Sequence, residues 1–199
     1  MVPCFALLVV SSFCFFGGSM NHLELYIDGK DLQKIRECED VYLKSYALVQ
    51  ILFKDREDSA GQPYLGHLKR VSSRMTTLDG KVAGLLHDLV EDIPYITFED
   101  LLDIGIPENI VEVLRLVTKK KTNEQLTEEE RLIRYGKEID RIIDSGNPLA
   151  IELKTVDITD NYDRERLELC SPELQDWFEK KYPPQIKKLY KARGIYKCA

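Results

Sequence analysis

From Asp31 onward, apolar residues recur every three or four positions between short polar breaks, the pattern of amphipathic helices. Leu32 to Phe53 carries Ile35, Val41, Leu43, Ala47, Leu48, Ile51 and Leu52 at this spacing and reads as one helical stretch. Lys54 to Gln62 is a polar loop, and Pro63 sits where the next helix begins, with Leu65, Leu68 and Val71 as its stripe. A central helix is predicted from about Gly80 to Ile93, stopped by Pro94. Thr97 before Glu99 and Asp100 reads as an N-cap with acids in the first turn, opening a short helix to Asp103. Pro107 opens the next, with Ile110, Val113, Leu114 and Val117 on one face, and Lys119 to Thr127 is a polar loop. Glu128 to Asp144 is charged and amphipathic, closed by Ser145-Gly146. Pro148 to about Leu169 predicts another long helix; Pro172 starts a last one, interrupted at Pro183-Pro184 and continuing to about Arg193. Strand-like alternation of any length and internal repeats are both missing from this pattern, so the fold class is all-α.

The first nineteen residues break the pattern. Val2 to Phe16 is almost wholly apolar and ends in Gly17-Gly18-Ser19 before Met20. It resembles the apolar part of a signal peptide but has no Lys or Arg before it, and it is short for a membrane span, which needs about 20 apolar residues. The segment reads either as an atypical signal or anchor, or as sequence ahead of a start at Met20; the second is favoured because the rest of the chain looks cytosolic. Residues 20–199 are then expected to form one domain, without stable membrane association. A net charge of −6 argues against a duplex nucleic-acid binder, whose affinity comes from neutralising phosphates. A small phosphorylated substrate needs only a local basic pocket. Five scattered cysteines (Cys4, Cys14, Cys38, Cys170, Cys198) suggest reduced thiols, which points to a cytoplasmic setting.

The central helix holds the chemistry. Between Lys81 and Ile93 it is apolar on nearly every face except at His87-Asp88 and Glu91-Asp92. Burying an imidazole and three carboxylates costs several kcal/mol each unless something compensates. A bound cation compensates directly, by neutralising the carboxylates and using their lone pairs. Glu91 follows His87 by four residues and Asp88 by three, so the three can share one wall of a site. Two further elements extend the set. His67 begins the apolar-striped helix after Pro63, and Asp157 lies between Val156 and Ile158 with Asn161 one turn along the same face.

His67, His87-Asp88 and Asp157 together resemble the HD superfamily of metal-dependent phosphohydrolases. The stretches from Gln62 to His67, from Gly84 to Asp92, and from Lys154 to Asn161 are similar, in order, to the hydrolase domain of RelA/SpoT-type alarmone enzymes, especially the small stand-alone members. The Thr97 to Leu101 and Leu116 to Thr118 stretches fall between them in the expected order. The resemblance implies a compact helical bundle with a metal between helices, bound by His67, His87, Asp88 and Asp157. Mn²⁺ is the ion usual in that family, and such mixed nitrogen and carboxylate ligands with open positions suit it. Glu91 and Asp92 would position the attacking water and shuttle protons. Asn161 would hold ribose or phosphate, and Tyr64 would line the nucleotide pocket. Lys154, one turn before Asp157, is expected to be its partner. The implied reaction removes the 3′-pyrophosphate from guanosine tetra- or pentaphosphate.

Two departures touch substrate selection. Where the larger enzymes carry a basic pair before the Pro-Tyr motif, this chain has Asp58-Ser59-Ala60-Gly61, with Lys54 and Arg56 further back as replacements. The last motif reads Asp157-Ile158-Thr159-Asp160-Asn161, where the family often has a basic residue after the first aspartate and a histidine before the asparagine. Rival readings are a related phosphohydrolase acting on another nucleotide, and a non-catalytic sensor that keeps the metal. Lys119-Lys120-Lys121 is expected to be a solvated turn, and Trp177 with Phe178 to serve packing.

Overall fold

The computed structural model describes residues 21–119 and 124–195; the apolar segment 1–19, Lys120 and Lys121 lie outside the described residues. After a short 3₁₀ turn (His22–Leu25) come α1 (Gly29–Glu37), α2 (Val41–Leu52), α3 (Tyr64–Arg74), α4 (Leu78–Leu86) and α5 (Leu89–Asp92). They are followed by α6 (Phe98–Asp103), α7 (Glu108–Val117), α8 (Glu128–Asp144), α9 (Pro148–Asn161), α10 (Arg164–Leu167) and α11 (Pro172–Ala192). The described residues are thus all-α, as the hydrophobic pattern implies.

Four boundaries differ from the pattern, each for a local reason. The stretch from Leu32 to Phe53 is two helices, because the Asp40 carboxylate accepts from the Leu43 amide and caps a new start. The long helix from Pro148 divides at Tyr162, where Asp163 caps the short α10 by accepting from Glu165 and Arg166 amides. The central helix divides at His87-Asp88, and the last helix does not break at its prolines. Pro183 and Pro184 lie inside an unbroken α11. An interior proline costs about 3 kcal/mol or more, and burial of Phe178, Tyr182 and Leu189 where α11 packs on α8 and α9 offsets it. The N-caps at Thr97 and Thr127 form full capping boxes with Asp100 and Glu130.

The core is organised around α4 and α9, both buried on almost every face. Helices α2, α3, α7 and α9 surround α4, with α3 lying closest along it. That approach depends on Gly84. A Cβ there would stand 2.8 Å from Ser72 Cα and 2.9 Å from Ser72 N, inside any real contact distance. With the backbones this close, His67 on α3 and His87 just after α4 face each other across the seam.

Gly84→Ala is therefore expected to destabilise the fold by about 1–3 kcal/mol, the range for overpacked cores, measured by urea unfolding. Gly29→Ala, with nothing within 4 Å of the new Cβ, is expected to be neutral or stabilising by up to about 1 kcal/mol.

Candidate metal centre

The break between α4 and α5 presents the first candidate ligands. His87 donates its Nδ1 hydrogen to the Gly84 carbonyl at 2.8 Å, taking one of the acceptors a helix end leaves open. This fixes the tautomer and aims the Nε2 lone pair inward. His67 does the same from α3, its Nδ1 bonded to Asp160 Oδ2 at 2.8 Å. The two Nε2 atoms then lie 3.3 Å apart, both in the buried interior. Asp88 Oδ2 completes a triangle, 3.0 Å from His87 Nε2 and 3.6 Å from His67 Nε2. Asp157 Oδ1 sits 3.6 Å from each of the two Nε2 atoms.

The separations among His67, His87 and Asp88 match donors around one ion. Ligand atoms about 2.1 Å from a common metal lie about 3.0 Å apart at adjacent octahedral positions and about 3.4 Å apart at tetrahedral ones. Two lone pairs facing each other across 3.3 Å, with ionised carboxylates beside them, repel unless a positive charge lies between. The electrostatics say the same. Burial opposes charge on His87, yet Asp88 and Asp157 override it and raise its pKa well above the usual imidazole value. His67 is raised as well, with Asp160 and Asp88 outweighing burial. Burial likewise opposes charge on Asp88, but the imidazoles hold it well below the ordinary carboxylate range. Asp157 is lowered too, Lys154 and His87 prevailing over its burial. The cluster favours positive charge between these groups, and the donor set fits a divalent metal.

Each ligand has a partner that orients it. Tyr64, stacked on Phe53 at 5.1 Å between ring centroids, donates its hydroxyl to Asp88 Oδ2 at 2.7 Å. Asp157 accepts from Lys154 Nζ at 2.7 Å and from Asn161 Nδ2 at 2.6 Å. These groups open onto a cavity of about 200 Å³ whose lining includes Tyr64, Asp88, Glu91, Asp92, Asp157, Asn161 and Lys154. Of the residues singled out from the sequence, Lys54 and Arg56 are not brought to the site: both are exposed and neither lines the cavity. Asp92 faces the cavity with its pKa raised, by burial first and by the Asp88 charge second. Glu91 is held by Lys119, through Nζ at 2.8 Å and the backbone amide at 3.3 Å.

Further groups line the cavity. Lys119, expected in a solvated turn and only as a lesser reading near the substrate phosphates, stands at the cavity beside Glu91. Tyr135 from α8 and Lys181 and Tyr182 from α11 also line the cavity. A second cavity of about 370 Å³ shares Glu91, Lys119, Tyr135 and Lys181 with the first and adds Arg131, Arg134 and Trp177. Trp177 lies there under the Arg131 guanidinium, 4.7 Å away, whereas Phe178 packs in the core. No short-range pattern marks Lys181: it reaches the site because α11 returns across α8 and α9. Asp160 carried a signal, being a second acid three residues after Asp157 in an otherwise buried helix.

No protein-family model matches the chain. Among solved structures, the fold is similar to that of a metazoan ortholog of SpoT that hydrolyzes ppGpp and plays a role in starvation responses. The likeness has a TM-score of 0.57 at 22% identity and covers 80% of this chain and 98% of that one. The helical bundle thus shares the fold of that protein. No helix among the described residues is long and apolar enough to cross a membrane.

Lys119, Lys154 and Lys181 make one wall of the cavity cationic. Burial, with repulsion from Lys119 and Lys154, lowers the Lys181 pKa to about 8, so its charge is present below that pH and lost above it. Pyrophosphate affinity is expected to fall in the wild type as pH rises through about 8. Lys181→Met is expected to bind roughly tenfold more weakly at pH 7, the loss of one charged hydrogen bond, with the gap closing by alkaline pH. Calorimetric titration across this range checks both expectations.

Proposed function

We propose that this chain is a metal-dependent phosphohydrolase that removes the 3′-pyrophosphate from guanosine tetra- or pentaphosphate, giving GDP or GTP. The observation that carries the reading is the convergence of His67, His87 and Asp88 on one point, with Glu91 and Asp92 on the next turn facing the same cavity. The fold likeness to a ppGpp-hydrolysing protein supports it, as does the order of the alarmone-type motifs.

Mn²⁺ held by His67, His87, Asp88 and Asp157 would supply Lewis-acid polarisation of a phosphoryl oxygen and a lowered pKa for the attacking water. The chain's own residues do the rest. Asp92, whose pKa burial and the Asp88 charge raise above the ordinary carboxylate value, accepts the proton of the attacking water. Glu91, fixed by Lys119, positions that water. Lys119, Lys154 and Lys181 hold the pyrophosphate while water adds to the phosphorus on the 3′-oxygen and the P–O3′ bond breaks. The 3′-oxygen leaves with a proton returned through the Glu91-Asp92 pair, so water is divided between nucleoside and pyrophosphate. Tyr64 and Asn161 line the path of the ribose. The scattered spacing of the cysteines supports a cytoplasmic setting, and a role in the stringent response would follow from ppGpp hydrolysis.

One observation favours a second reading, a related hydrolase acting on another nucleotide. The loop from Lys54 to Gly61 brings Ser59 to the cavity in place of a basic pair, while Lys54 is exposed and does not line it. Guanine selection then has to come from other walls.

Chromatography of ppGpp, pppGpp and ordinary nucleotides after incubation with the Mn²⁺-loaded chain decides between them. GDP and pyrophosphate from ppGpp are expected; cleavage only of other nucleotides moves the chain to the second reading, and no turnover at all contradicts both. Glu91→Gln is expected to keep the metal and cut the rate by roughly 100-fold or more.

A further inference from the structure

Asp160 stands where the alarmone enzymes often have histidine, and its surroundings are unusual for a carboxylate with no exposed surface. It accepts from Arg70 Nε at 2.9 Å and Nη2 at 3.0 Å, and it pairs with Arg74 Nη1 at 3.1 Å. Arg166 Nη1 also donates to its Oδ2. The same Oδ2 receives the Nδ1 hydrogen of His67. Arg166 Nη1 lies 3.4 Å from that Nδ1, but both are donors and the carboxylate takes both. Three guanidinium groups and one imidazole thus converge on one carboxylate. Its orientation leaves His67 a single tautomer, with Nε2 free for a metal.

Arg166 continues beyond Asp160. Its Nη2 donates to Asp58 Oδ2 at 2.8 Å, while Asp58 Oδ1 accepts from the Ala60 and Gln62 amides. Asp58 is therefore the organising residue of the loop that brings Ser59 to the cavity. One guanidinium spans from the back of a metal-facing histidine to that loop.

We propose that Asp160 is the positioning residue of His67, and that Asp160, Arg166 and Asp58 form a relay coupling metal occupancy to the order of the Asp58–Gln62 loop. This rests on the metal centre described above but not on the identity of the substrate. A fixed His67 fixes Asp160, which fixes the Arg166 fork and through it Asp58. Conversely, an ordered loop favours the metal-ready tautomer of His67. Arg166 suits the role because its planar fork serves two carboxylates at once.

The test is Mn²⁺ titration by calorimetry on the full chain, with hydrogen exchange of the Asp58–Gln62 amides followed with and without Mn²⁺. Asp160→Asn is expected to weaken Mn²⁺ binding by about 10–100-fold, the usual effect of losing a partner behind a ligating histidine. In the wild type, Mn²⁺ is expected to slow exchange in the loop, and in Arg166→Gln that slowing is expected to disappear. Arg166→Gln also decides the matter if Asp160→Asn fails to fold. Unchanged Mn²⁺ affinity in a folded Asp160→Asn protein, or the same metal-dependent protection in Arg166→Gln, overturns the relay while leaving the metal centre intact. A wild type that takes up no Mn²⁺ overturns both.

Discussion

Two imidazole nitrogens held 3.3 Å apart with their lone pairs turned toward each other are the constraint on which the rest of this structure depends. Such an arrangement is unfavourable in a dry interior unless a positive charge is shared between the rings. The fold nevertheless enforces it from several directions. Gly84 lets α3 and α4 approach, the Gly84 carbonyl and Asp160 fix the outer nitrogens, and Asp88 and Asp157 stand at the inner ones. That so many independent contacts hold a repulsive pair in place is the physical argument for a cation site.

Around that point, charge is layered. The candidate ligands lie innermost; Lys154, Tyr64, Asn161 and Asp160 form the shell that orients them; Lys119 and Lys181 face the cavity. Negative charge at the centre and positive charge on one wall suit a metal and an anion bound side by side. A phosphate ester is such an anion, because its oxygens can face the metal and the lysines together.

Much of this was legible in the chain. His87 and Asp88 stood out because they interrupt an otherwise apolar helix, where burial without compensation is expensive, whereas His67 and Asp157 joined them as candidate ligands through the resemblance to HD-type motifs. The helices were legible from apolar spacing, but their breaks were less so. The division at His87-Asp88 depends on a side chain taking a backbone acceptor, and the continuity of α11 through Pro183-Pro184 on packing against α8 and α9. Lys181 and Tyr135 could not be assigned to the site from sequence, since tertiary return alone brings α8 and α11 across it. Lys54 illustrates the converse: close in sequence to the Pro-Tyr motif, it lies on the solvent side of its loop.

The most direct measurement is X-ray absorption at the Mn edge on the full chain loaded with one equivalent of Mn²⁺. The account predicts a single site with two imidazole nitrogens and otherwise oxygen ligands, and loss of the nitrogen shell's signature in His67→Ala/His87→Ala. An oxygen-only shell in the wild type, or the same nitrogen signature in that double variant, would contradict it.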